Sequence, residues 1–135
     1  MIDIRICNHY YFAMKLLVVD DSTIMRRAIQ KYSSSLPLRI IGTASNGAEA
    51  LEMLVVHEPD VITLDITMPK IDGLSALKRI MEIAPRTRVL VITALSDTAT
   101  GIQALRSGAR GFLNKPFTEA QLVEELRHVC GIDDL

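Results

Sequence analysis

Five short apolar runs, each followed by polar residues and then by a segment of helical periodicity, constrain the fold of this chain more than any other feature. The runs cover residues 15–19, 39–44, 61–64, 89–92 and 111–113. Runs that are apolar almost throughout and rich in β-branched residues predict strands buried on both faces. Parallel strands joined by helices meet that requirement, so the sequence predicts a doubly wound α/β sheet. For a chain of this size we expect the flavodoxin-like strand order 2-1-3-4-5 with five helices.

The segments between the runs carry helix start and stop signals. Asn46 with Glu49 three residues later predicts the start of the second helix, and Thr118 with Gln121 forms a capping box before the fifth. Gly108 is a C-terminal stop for the fourth helix. The predicted apolar faces of the first two helices consist of Ile24, Ala28, Ile29 and Tyr32, and of Ala48, Leu51, Leu54 and Val55.

Composition excludes several classes of function. The 135 residues suffice for one domain, and a net charge of −1 gives no electrostatic basis for binding DNA or an anionic membrane. No apolar run approaches the ~20 residues of a membrane span, and the N-terminus lacks the pattern of a signal peptide. Cys7 and Cys130 lie far apart in no metal-binding or redox spacing, so we expect a reducing, cytoplasmic setting.

Residues 1–13 fit poorly with the regular alternation of the rest of the chain. Ile2, Ile4 and Ile6 alternate with polar residues, but a cleaner start comes at Met14. We therefore expect a loosely ordered N-terminal extension over residues 1–13, followed by one domain over residues 14–135.

Polar side chains stand where four of the predicted strands end. Asp20 and Asp21 end the first strand, Asp65 the third and Thr93 the fourth, and Lys115 follows the fifth. Because the carboxyl ends of parallel strands lie at one edge of a sheet, we expect these side chains to meet in one pocket.

The chemistry of this set points to phosphoryl transfer. Two carboxylates ~4 Å apart repel by about 4 kcal/mol at an effective dielectric constant of ~20, and one amine does not cancel three negative charges. A hard divalent cation such as Mg²⁺ does, and carboxylates with a backbone carbonyl suit it. Asp65 would then be the acceptor, with Thr93 and Lys115 binding the other phosphoryl oxygens. Each residue alone also has a plain structural interpretation, as a helix N-terminus, a turn or a solvated lysine.

The motifs together resemble one known family. They are Val18-Val19-Asp20-Asp21-Ser22, Leu64-Asp65-Ile66-Thr67-Met68-Pro69, Asp72-Gly73, Thr93-Ala94 and Lys115-Pro116-Phe117. Over roughly residues 14–131 the sequence resembles the receiver domain of two-component response regulators, of the single-domain chemotaxis (CheY-like) type.

The resemblance implies a role for each matched residue. Asp65 would accept a phosphoryl group from the phosphohistidine of a histidine kinase. Mg²⁺ would be held by Asp20, Asp21, Asp65 and the backbone carbonyl of Thr67, with Asp20 acting mainly through water. Thr93, Ala94 and Lys115 would contact the phosphoryl group, and the Lys115–Pro116 peptide bond would be cis. In the switch, Thr93 would move toward the phosphoryl group and Phe112 would swing inward behind it.

The resemblance also implies partners. A histidine kinase or a phosphotransfer protein would supply the phosphoryl group. We expect no output domain, so that a downstream protein would read the switch through the face formed by the fourth helix, the fifth strand and the fifth helix. The expected molecule is a signalling module and not a conventional enzyme. A phosphorylation-dependent homodimer is compatible with this interpretation, whereas DNA and membrane binding are not expected.

Three other functions compete with this one. A phosphatase of the haloacid-dehalogenase type also uses an aspartate nucleophile, Mg²⁺, Thr and Lys, but it normally needs Asp-x-Asp, and here Asp20 and Asp21 are adjacent. A flavodoxin would have to bind phosphate beside those two carboxylates, which would repel it. An unphosphorylated receiver scaffold would not need the intact pocket.

Overall fold

Strands and helices alternate along the chain in the computed structural model, which describes residues 13–67, 73–94 and 97–132. The strands are β1 (Met14–Val19), β2 (Leu38–Ala44), β3 (Val61–Asp65), β4 (Arg88–Ala94) and β5 (Gly111–Lys115). The helices are α1 (Thr23–Tyr32), α2 (Gly47–His57), α3 (Gly73–Ile83), α4 (Thr98–Arg106) and α5 (Glu119–Cys130), and a short 3₁₀ turn over Ser33–Ser35 follows α1. The predicted alternation is confirmed. Residues 1–12, most of the predicted extension, lie outside the described residues.

The strands form one parallel sheet in the order β2-β1-β3-β4-β5, which confirms the predicted doubly wound fold. The register aligns the carboxyl ends of the strands. Val19 pairs with Ala44 on one side and with Leu64 on the other. Asp65 of β3 pairs with Ile92 of β4. Thr93, the next residue of β4, pairs with Asn114 of β5. Polar residues that follow these strands are therefore brought to a single edge.

The sheet separates two apolar cores. Alternate strand residues such as Leu17, Ile62 and Val91 pack with α2, α3 and α4 on one face. Residues of opposite parity, such as Leu16 and Ile92, pack with α1 and α5 on the other face. Successive side chains of a strand point to opposite faces, so both parities must be apolar when helices cover both sides.

Side-chain caps fix where the helices begin. Ser22 accepts a hydrogen bond from the Met25 N–H at the start of α1, and Asn46 accepts one from the Glu49 N–H at the start of α2. Thr118 and Gln121 form the predicted capping box at α5. None of the helices in the described ranges has the length and apolar character needed to cross a membrane.

The predicted buried faces of the first two helices are partly wrong. Ile24 is 82% exposed and Val55 is 63% exposed. Ala48 is also exposed, whereas Leu54 is buried and Leu51 partly buried as predicted. The buried face of α2 also contains Gly47 and Ala50, which were not predicted. Small residues let the axis of α2 approach the sheet closely, and a count of apolar side chains does not detect that preference.

Candidate functional site

Four of the predicted site residues meet at the carboxyl edge of the sheet. One oxygen from each of Asp20, Asp21 and Asp65 lies within 4.8 Å of the others. The Lys115 ammonium stands 3.0 Å from Asp65 Oδ2 and 3.3 Å from Asp20 Oδ2. Asp20 and Asp65 are buried, whereas Asp21 is exposed, so the cluster opens to solvent on one side. The topology therefore brings together four of the five side chains expected in one pocket. The fifth, Thr93, is buried at the end of β4 and bonds to Asn114.

The Asp65 carboxylate is held at both oxygens. Its Oδ1 accepts hydrogen bonds from the Thr67 backbone N–H at 2.8 Å and from the Thr67 hydroxyl at 2.6 Å. Its Oδ2 accepts one from Lys115 at 3.0 Å. The sequence predicted a role for the Thr67 backbone carbonyl, and the Thr67 hydroxyl is a further contact, of the kind that a Thr two residues after an aspartate makes. The group that terminates β3 is thus fixed in one orientation.

Asp20 has one satisfied oxygen and one unsatisfied oxygen. Its Oδ1 accepts a hydrogen bond from the Ser22 N–H at 2.9 Å. Its Oδ2 is buried and accepts no hydrogen bond from any described residue, although it pairs electrostatically with Lys115. Burial raises the pKa of Asp20, and the negative charge of Asp65 raises it further, against the opposing effects of the Ser22 N–H and Lys115. A cation beside Oδ2 would relieve this unfavourable burial.

Lys115 remains a charged group despite partial burial. Burial lowers the pKa of its ammonium, but the hydrogen bond to Asp65 and the charges of Asp65 and Asp20 outweigh that effect, so the net pKa is raised. The peptide bond that joins Lys115 to Pro116 is cis.

The donor set suits a hard divalent cation. Three carboxylates face one ammonium, and the buried Asp20 Oδ2 lacks a hydrogen-bond donor among the described residues. Carboxylate oxygens are the ligands that Mg²⁺ prefers, and one open side lets it keep several waters. The residues present therefore fit the magnesium ion that the sequence predicted.

Thr93 makes a contact that the sequence did not predict. Its side chain is fully buried at the end of β4, and its hydroxyl oxygen accepts a hydrogen bond from Asn114 Nδ2 at 2.7 Å. The same amide nitrogen donates to the Ala94 carbonyl at 3.0 Å. Asn114 belongs to no motif, and only the register between β4 and β5 would have pointed to it.

Phe112 of β5 lies two residues before Asn114, the residue that pairs with Thr93 of β4. Phe112 pairs with Val91 of β4 and is partly buried against the core that α4 covers. A Cβ atom placed on Gly101 of α4 would come within 2.6 Å of Phe112 Cδ2. The absence of a side chain at Gly101 therefore makes room for the aromatic ring in its present position.

Known proteins with this pattern are numerous. The family model for the response regulator receiver domain matches residues 16–127. The chain is 37% identical over 115 residues to the chemotaxis protein CheY of Thermotoga maritima, an alignment that covers 85% of this chain and 96% of the relative. It is 36% identical over 114 residues to the chemotaxis protein CheY of Bacillus subtilis, which covers 84% of this chain and 95% of the relative.

Solved structures of response regulators are also similar to this chain. A CheX–CheY–BeF₃–Mg²⁺ complex from Borrelia burgdorferi superposes with a TM-score of 0.82 at 35% identity, covering 87% of this chain and 90% of that chain. The response regulator domain of Thermotoga maritima CheB superposes with a TM-score of 0.78 at 38% identity, covering 90% of this chain and 99% of that chain.

Proposed function

Because this chain belongs to the response regulator receiver domain family, we propose that it is a signalling module switched by phosphorylation of Asp65. The observation that carries the proposal is the convergence of Asp20, Asp21, Asp65 and Lys115 at the edge where the strands end. A carboxylate held at both oxygens beside an ammonium is arranged to attack phosphorus and to accept the charge that arrives with it.

The transfer forms one bond and breaks one. An oxygen of Asp65 attacks the phosphorus of the donor, the bond from phosphorus to the leaving group breaks, and the leaving group departs with the electron pair. Thr67 orients the attacking carboxylate through its two hydrogen bonds, and Lys115 neutralises part of the charge on the phosphoryl oxygens. Asp20, Asp21, Asp65 and the Thr67 carbonyl would hold Mg²⁺, which supplies positive charge to the carboxylates and the phosphoryl oxygens.

The phosphoryl group would then be read by residues of β4 and β5. The Thr93 hydroxyl and the Ala94 backbone would contact its oxygens, and Phe112 would move inward into the space that Thr93 leaves. The pairing of Val91 with Phe112 and of Thr93 with Asn114 places these residues side by side, which supports such coupling.

The expected output surface combines α4, β5 and α5. Ile102 and Leu105 of α4 are 45% and 40% exposed. A groove of about 440 Å³ is lined by Leu105, Phe112 and His128, among others. A histidine kinase or phosphotransfer protein would donate the phosphoryl group, and a downstream protein or a second copy of the chain would bind this surface. The related Borrelia CheY is bound to CheX in its solved complex.

Phosphorylation by a small donor tests the proposal. The protein is incubated with acetyl phosphate and Mg²⁺, and its intact mass is measured with and without EDTA. We expect a gain of one phosphoryl group that requires Mg²⁺ and is lost in Asp65→Asn. The matched control Asp60→Asn changes an exposed aspartate at the start of β3, at the opposite edge, and should still gain the group.

Two results would overturn the proposal. One is an equal gain in Asp65→Asn, and the other is no gain in folded wild-type protein. Steady hydrolysis of a range of phosphomonoesters would favour the phosphatase alternative instead.

A further inference from the structure

The Asn114 side chain is fixed in orientation by its two acceptors. Its Nδ2 donates to Thr93 Oγ1 at 2.7 Å and to the Ala94 carbonyl at 3.0 Å. A carbonyl oxygen only accepts, so the amide nitrogen and not the amide oxygen must face it. Thr93 has no exposed surface, which leaves no water at hand to replace the Asn114 donor. Asn114 therefore clamps the end of β4 to the end of β5.

The Thr93 side chain leaves β4 on one face of the sheet, and the Asp65 side chain leaves β3 on the opposite face. Along β4, Thr93 has the same parity as Val91, which packs against the helices α2 to α4. Along β3, Asp65 has the same parity as Val61, which packs against α1 and α5. Because side chains alternate along a strand, the two groups leave the same sheet edge on different sides. For its hydroxyl to reach a phosphoryl group on Asp65, Thr93 must turn away from Asn114.

We propose that Asn114 is a positioning residue that holds Thr93 in the unphosphorylated state, so that phosphorylation must break the bond from Asn114 to Thr93. The inference rests on the proposed function, because it assumes that Thr93 binds the phosphoryl group. It adds a residue that sets the balance between the two states. A hydrogen bond that forms in only one of the two states shifts the equilibrium between them by its net free energy.

Removing the bond should therefore favour the phosphorylated form. One neutral hydrogen bond supports an equilibrium ratio of about 3- to 10-fold. In Asn114→Leu the side chain keeps a similar size but has no donor. We expect this variant to bind a phosphoryl mimic about 3- to 10-fold more tightly than the wild type, in proportion to that ratio.

The test uses beryllofluoride with saturating Mg²⁺ as the probe, and its apparent dissociation constant is measured by NMR titration. Four proteins form a cycle: wild type, Asn114→Leu, Thr93→Ala and the double variant. We expect Asn114→Leu to tighten binding in the wild type and to change nothing in the Thr93→Ala background. A merely structural role of Asn114 would shift binding equally in both backgrounds and would overturn the proposal, as would unchanged or weaker binding by Asn114→Leu.

A crystal structure of the wild type with Mg²⁺ and beryllofluoride gives a second test that needs no variant to fold. Thr93 Oγ1 and Asn114 Nδ2 should lie beyond hydrogen-bond distance, and a retained bond with the probe in place would overturn the proposal. If folded wild-type protein binds no beryllofluoride, the proposed function fails and this inference fails with it. If the wild type binds normally but the cycle shows no coupling, only the role of Asn114 fails.

Discussion

Replacement of Lys115 by methionine should destabilise the metal-free protein. The ammonium stands 3.0 Å from Asp65 Oδ2 and 3.3 Å from Asp20 Oδ2. Each contact corresponds to about 5 kcal/mol of Coulomb attraction at an effective dielectric constant of ~20, much of which the desolvation of the charges offsets. Removal of one partner of a buried ion pair costs about 3–5 kcal/mol. The Lys115 side chain is 25% exposed, so water replaces part of the interaction. We expect a loss of about 2–3 kcal/mol, or roughly 10 °C in melting temperature.

The same substitution should strengthen Mg²⁺ binding. Mg²⁺ held by these carboxylates would be repelled by the ammonium. At a separation of ~5 Å the repulsion would be about 1.7 kcal/mol even at the dielectric constant of water, which corresponds to more than a tenfold change in affinity. Thermal unfolding is followed by circular dichroism in EDTA and across a Mg²⁺ titration. Lys78→Met, an exposed position on α3, gives the same charge change away from the site. An unchanged melting temperature for Lys115→Met in EDTA, or weaker stabilisation by Mg²⁺ than in the wild type, would refute this reasoning.

Three further results are expected. Thr118→Ala removes the capping-box hydroxyl of α5 and should lower the free energy of unfolding by about 1 kcal/mol in a denaturant titration; no change would argue against the cap. Gly101→Ala places a methyl group 2.6 Å from Phe112 Cδ2 and should lower the free energy of unfolding by about 1–3 kcal/mol. Adding Phe112→Leu should restore part of that stability. An equal loss from Gly101→Ala with and without Phe112→Leu would contradict the clash. Burial raises the pKa of the Cys130 thiol to about 11. In a Cys7→Ser background, iodoacetamide at pH 8 should therefore label Cys130 only after the protein unfolds. Rapid labelling of the native protein would be inconsistent with this burial.

The sequence was sufficient to predict the sheet and most of the acidic site. Apolar runs that end in Asp20, Asp65 and Thr93 locate the carboxyl ends of three strands, and parallel topology then brings those ends to one edge. Local pattern and global topology agree at these positions, so the convergence of the carboxylates follows from the sequence pattern.

Other features depend on packing that periodicity does not contain. The buried face of α2 contains the small residues Gly47 and Ala50 beside Leu54, while Val55 is exposed. Asn114 contacts Thr93 only because β4 and β5 pair in one register, and a shift by one residue would turn its side chain to the other face. A lone asparagine in a strand carries no signal of such a contact.

Chemical trapping of the phosphorylated residue tests the central claim most directly. The protein is treated with acetyl phosphate and Mg²⁺ and then with sodium borohydride, which reduces an aspartyl phosphate to homoserine, and the peptides are sequenced by mass spectrometry. We predict homoserine at position 65, and only in the sample that received both the donor and Mg²⁺. Homoserine at another aspartate, or none in a folded sample that has gained a phosphoryl group, would contradict the assignment of Asp65 as the acceptor.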